Sequence, residues 1–139
     1  MKKIINGKLY DTSTAHLVGS WDNNMGGTFD YAAESLYRKR TGEFFLHGEG
    51  GARSRYAAQC GYGSWGSGET IIPLTWDSAR QWAEEHLDAD EYQSAFGKIV
   101  EDDSRTVVTL SLAASSLEKA KRAASQKGIS LSAYIESLL

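Results

Sequence analysis

The chain has 139 residues, 41 % of them apolar and 11 % aromatic, with a single proline; this excludes a disordered tail and suits one domain with a short appended module. One cysteine, Cys60, excludes an internal disulfide and a zinc–thiolate cluster, and fits a reducing compartment. The net charge of −3 is unevenly spread, residues 1–103 summing to −6 and residues 104–139 to +3, so any contact with phosphate falls to the tail.

The start, Met1-Lys2-Lys3-Ile4-Ile5, has the basic beginning of a signal peptide, but its apolar run stops at Ile5 and no later stretch reaches membrane-spanning length. The expectation is a cytoplasmic protein without a membrane partner. Ile4-Ile5-Asn6-Gly7-Lys8-Leu9-Tyr10 predicts a tight hairpin, because Asn-Gly supplies the two positive-φ residues of a type I′ turn. Asp11-Thr12-Ser13-Thr14 offers caps for a short helix through about Val18, and residues 22–27 read as a loop. A strand is expected from Phe29 to Arg40, turned by Thr41-Gly42 into a second over Glu43–His47. Gly48-Glu49-Gly50-Gly51 reads as a turn, since it lacks the lysine and Ser/Thr of a phosphate-binding loop. A second glycine-rich loop spans 61–68, with Tyr56 and Cys60 between the two. Thr70–Leu74 reads as a strand that Pro73 confines to an edge or an end.

Thr75 caps a helix from Trp76 to about His86, where Trp76, Ala79, Ala83 and Leu87 recur at helical spacing. Asp88 begins a second short helix carrying Tyr92 and Phe96, which Gly97 ends. The first 103 residues thus read as an acidic α+β domain, an antiparallel sheet of three to five strands with helices on one side. Lys98–Ser104 reads as a connector.

In residues 106–112 the large apolar side chains Val108, Leu110 and Leu112 alternate with Val107, Thr109 and Ser111, the period of a half-buried strand. A helix follows, capped by Ser115 or Ser116, with Leu117, Ala120 and Ala124 on one face and Lys127-Gly128 at its end. Ser130 caps a last helix in which Leu131, Ile135 and Leu138 share a face. A single strand-helix-helix of this length leaves its apolar faces uncovered and its strand with two open edges. Pairing with a second copy removes both faults.

This pattern resembles the ribbon-helix-helix family of bacterial repressors and antitoxins over residues 104–139. The resemblance implies a homodimer held by Val108, Leu110, Leu112, Leu117, Leu131, Ile135 and Leu138. By position it also implies operator DNA under the outward residues Val107, Thr109 and Ser111, with Arg105 beside them and Ser130 on phosphate. The departure is that Val107, Thr109 and Ser111 are short or apolar, whereas base-reading residues are long and polar. Only Arg105 has the reach.

Elsewhere, His47 and Glu49 are two apart at a strand end, a spacing that would let them share a face, and His16, Cys60 and His86 are the other soft ligands or bases; none has metal-ligand spacing. No paired-carboxylate or triad signature stands out, so no enzyme, no cofactor and no metal are expected. Two features read as binding surface. Glu84, Glu85, Asp88, Asp90, Glu91, Glu101, Asp102 and Asp103 lie within a stretch holding one lysine, a field that would steer a basic protein partner. Tyr62, Trp65, Trp21 and Trp76 lie in or beside loops, where amphipathic rings anchor interfaces.

Three segments carry a further resemblance: residues 2–12, residues 36–52 from Leu36-Tyr37-Arg38 to Gly50-Gly51-Ala52, and Ile71-Ile72-Pro73-Leu74-Thr75 before Trp82-Ala83-Glu84. Over about residues 1–100 the chain is similar to a small-protein family carried by phages and conjugative elements of Gram-positive bacteria. Such mobile-element families include anti-CRISPR proteins. The resemblance implies a non-enzymatic inhibitor that binds a Cas effector such as Cas9 and blocks its nucleic-acid handling; the alternative is a ribbon-helix-helix repressor or antitoxin.

Overall fold

Asn6 and Gly7 take φ of 50° and 74°, the paired left-handed residues of a two-residue hairpin turn. They join β1 (Lys2–Ile5) to β2 (Lys8–Asp11), with Ile4 opposite Leu9. The computed structural model describes residues 1–101 and 105–139. They fall into two compact units, Met1–Val100 and Glu101–Leu139.

The helix expected from Thr12 to Val18 is absent. The Asp11 carboxylate accepts from the Ser13 N–H at 2.9 Å and the Ser13 hydroxyl at 2.7 Å, closing an Asx turn where a helix cap was expected. These two bonds, with Lys2 nearby, hold the Asp11 carboxyl below the ordinary carboxylate range. The chain leaves this turn as a strand, β3 (His16–Asp22). The next strand, β4 (Ala32–Arg38), is shorter than the expected Phe29–Arg40. Asn23 explains the trimming: its amide donates to the Asp30 carbonyl at 2.8 Å and its oxygen accepts from the Ala32 N–H at 3.2 Å, tying residues 23–31 into a loop.

Gly42, at φ 93°, turns the chain into β5 (Phe44–Gly50). This strand runs through Gly48-Glu49-Gly50, expected as a turn. The reason is tertiary: the Tyr56 ring and the Ser54 side chain fold back over the strand where Cβ atoms of Gly48 and Gly50 would sit, so glycine here serves close approach, not bending. Next come a small hairpin, β6 (Ala58–Gly61) and β7 (Ser64–Gly66), and then β8 (Gly68–Leu74). The main sheet is antiparallel in the order β3-β4-β5-β8. Pro73 therefore lies on an edge strand, the place where a missing N–H is tolerated.

Thr75 accepts from the Ser78 N–H at 3.1 Å and starts α1 (Trp76–His86). Asp88 and Glu91 form a reciprocal capping box that starts α2 (Ala89–Phe96), and Gly97 ends it. Both helices pack on one face of the sheet, where Ala79, Trp82 and Ala83 meet Leu36, Phe44 and Leu46. On the opposite face Phe45 and Ile71 pack with Tyr10 of the first hairpin. Strand alternation accounts for the split: Phe44 and Leu46 point to the helices, Phe45 to the hairpin.

In the second unit Gly128, at φ 66°, ends α3 (Ala114–Lys127), and Ser130 caps α4 (Leu131–Ser137) by accepting from the Ala133 N–H at 3.1 Å. The expected cap at Ser115 or Ser116 is corrected: Ala113 is extended and the chain turns helical at Ala114, leaving both hydroxyls inside the first turn with no side-chain cap. Residues 106–112 form no strand in the single chain, so the ribbon of a ribbon-helix-helix unit is not part of this fold. A lone strand has no partner for its ladder.

Gly48→Ala is expected to lower stability by about 1–3 kcal/mol, the cost of forcing an extra methyl into a packed site, because its Cβ would fall within the Tyr56 ring. A lower urea midpoint at unchanged slope is the signature. Gly26→Ala, with nothing within 4 Å of the new Cβ, is the control and should stay close to the wild type.

Candidate functional site

The acidic surface is built by the junction of α1 and α2. Glu84 and Glu85 end the first helix, Asp88 caps the second, and Asp90 and Glu91 occupy its first turn; all five are exposed. Local physics accounts for part of this. Acids at a helix start are favoured by its unpaired N–H groups and positive dipole end, and Asp88 and Glu91 are committed to the capping box at 2.8 and 3.4 Å. Arg80 pairs with Glu84 one turn away at 2.5 Å, and His86 lies 3.8 Å from Glu85. Among the described residues Asp90 has no such partner. A groove of about 280 Å³ is lined by Leu87, Tyr92 and Ile99 together with Glu84 and Asp88. Glu101 is exposed, whereas Asp102 and Asp103 lie outside the described residues.

The aromatic candidates separate. Tyr62 at the β6–β7 turn and Trp65 on β7 are exposed. Trp21 instead packs against His86, ring centres 4.7 Å apart, and Trp76 meets Phe96 edge-on at 5.6 Å, although it stays half exposed. In the tail, Val107, Val108, Leu110 and Leu112 are between 52 and 97 % exposed, and Leu138 is exposed too. Leu117, Leu131 and Ile135 are half-buried, and Ala124 is buried. Arg105, Thr109 and Ser111 are exposed, but Arg105 is engaged by Glu136 at 2.8 Å, and the Ser130 oxygen is taken by Ala133.

Two arrangements depend on long-range contacts that the sequence does not state. The first is Glu34 of β4, only 4 % exposed. Its carboxylate accepts from the Trp82 indole at 2.6 Å, from the Tyr56 hydroxyl at 2.9 Å and from the Arg55 guanidinium. Burial holds the Tyr56 phenol above its ordinary value, opposed by the hydrogen bond from Arg55 and aided by the one to Glu34, so Tyr56 remains a donor at neutral pH. The second lies on the opposite face of the sheet. His47 is not at a strand end, as its spacing suggested, but mid-strand in β5, and its Nε2 lies 2.8 Å from Oε2 of Glu69. Glu69 is directly across from Glu49 in the β5–β8 register.

Comparison with protein families, curated proteins and solved structures finds no match to this chain. No helix among the described residues is long and apolar enough to cross a membrane.

Proposed function

We propose that the chain is a non-enzymatic inhibitor encoded by a mobile element, an anti-CRISPR protein acting in the bacterial cytoplasm. Its α1–α2 face occupies a basic nucleic-acid-handling surface of a Cas effector, Cas9 being one such target. The observation that carries this is the cluster of Glu84, Glu85 and Asp90, exposed on two helix ends beside an apolar groove. A groove evolved for a phosphate backbone presents closely spaced positive charges, and carboxylates on a helix pair match them with little adaptation. The mobile-element resemblance of residues 1–100 supplies the target class. Residues 104–139 make the protein a homodimer through Val108, Leu110 and Leu112, which a single chain leaves exposed.

The capping box dictates how the surface is tested. Reversing Asp88 or Glu91 would also unseat α2, a cap being worth about 1 kcal/mol, so the informative variant is Glu84→Lys, Glu85→Lys and Asp90→Lys together. Exposed helix charges add little stability, and its melting temperature should stay near that of the wild type. Association with the effector should slow about tenfold at low salt, and protection against interference in cells should fall. A folded triple variant that inhibits fully at physiological salt overturns this surface. Attention then moves to Tyr62 and Trp65, whose apolar anchoring gives weak salt dependence.

A second reading, a ribbon-helix-helix repressor or antitoxin, is favoured by the apolar alternation of residues 106–112. Binding to its own promoter DNA that weakens steeply with salt would support it. Both hold together if the inhibitor represses its own operon through its tail.

A further inference from the structure

We propose that His47, Glu49 and Glu69 form a binding site for a divalent first-row transition ion, with Zn²⁺ as its natural probe, at the lip of a cleft on the hairpin-bearing face of the main sheet. One donor atom from each of the three side chains comes within 4.8 Å of the other two. Donors around a tetrahedral zinc lie about 3.3 Å apart, so side-chain rotations of the exposed glutamates close the gap without backbone movement. The backbone fixes the set: His47 and Glu49 are two apart on β5 and so share a face, and the register sets Glu69 of β8 across from Glu49.

Two features distinguish this group from a solvated acidic patch. Like charges directly opposite on antiparallel strands repel, and Glu49 faces Glu69 with, among the described residues, the His47 ring 2.8 Å from Glu69 to relieve them. A bound cation removes that repulsion. The donor set is also mixed: an imidazole nitrogen with two carboxylates suits zinc or manganese, whereas magnesium and calcium prefer oxygen alone. Three protein ligands leave a tetrahedral ion one open position. Glu49 and Glu69 also line a cleft of about 630 Å³ with Tyr31, Thr28 and Ser67, so the open position has room for a water or a small oxygen-donor ligand. The site lies on the opposite sheet face from α1 and α2 and does not depend on the partner surface proposed above.

Calorimetric titration of the full chain with ZnCl₂ in a non-chelating buffer tests it. One saturable site per chain is expected, with His47→Ala, Glu49→Gln and Glu69→Gln each weakening binding about tenfold or more, and His16→Ala leaving it unchanged. Glu49→Gln should also raise the metal-free melting temperature while removing the rise that zinc gives the wild type, a pair of opposite shifts that a merely structural residue would not produce. The site is overturned by the absence of saturable zinc binding, by wild-type affinity in all three variants, by loss of binding in His16→Ala, or by equal affinity for Mg²⁺.

Discussion

Glu34→Ala is expected to destabilise the first unit by about 3 kcal/mol, a loss on the scale of truncating a large core side chain. The removed carboxylate accepts from three donors. Arg55, whose side chain is 63 % exposed, turns to water at little cost. The Trp82 indole and the Tyr56 hydroxyl are shut away, and each orphaned buried donor costs about 1–3 kcal/mol. Against a typical domain stability of about 5–15 kcal/mol, this is a large share. Glu34→Gln keeps the shape and one acceptor oxygen, and should lose roughly half as much. Urea unfolding followed by tryptophan fluorescence reads both variants; a loss below about 1 kcal/mol for Glu34→Ala would show that the network is ornamental.

Leu110→Lys is expected to convert the proposed homodimer into a monomer. Leu110 sits at the middle of the alternating segment, and a paired ribbon would bury it between two copies. A lysine there leaves an unpaired charge in an apolar layer, a cost no ribbon of this size offsets. Sedimentation at micromolar concentration should give twice the 15.2 kDa chain mass for the wild type and the single-chain mass for the variant. Thr109→Lys, on the outward side of the proposed ribbon, should stay dimeric. A wild-type chain that sediments as a monomer removes the dimer, and the ribbon-helix-helix reading with it.

What could be read from the sequence was whatever depends on neighbours a few residues apart. The Asn6-Gly7 hairpin, the edge position of Pro73, the helix from Thr75 to His86 and the caps at Asp88, Gly97, Gly128 and Ser130 are all short-range chemistry, and the acidic face followed because it lies on consecutive helix ends. The failures share the opposite character. Residues 12–14 carried cap chemistry, yet Asp11 spent its carboxylate on a turn. Gly48 and Gly50 looked like bend residues because the Tyr56 and Ser54 side chains that require them arrive from a later segment. The β5–β8 pairing spans a 17-residue excursion, residues 51–67, and nothing local states its register. Glu69 could not be joined to His47 and Glu49 without it. Glu34 reads as an exposed acid in any single-sequence scan, since its three donors come from positions 55, 56 and 82.

The run Val107-Val108-Thr109-Leu110-Ser111-Leu112 contains no proline, no glycine and no charge, the composition that stacks into cross-β fibrils when it is left uncovered. A paired ribbon would serve as its own guard, with solubility limited by uncovered chains and not by total protein. A variant that pairs weakly but keeps this run should therefore form fibrils sooner than the wild type at equal concentration. Leu110→Lys, which breaks the pairing but places a charge at the centre of the run, should stay in solution.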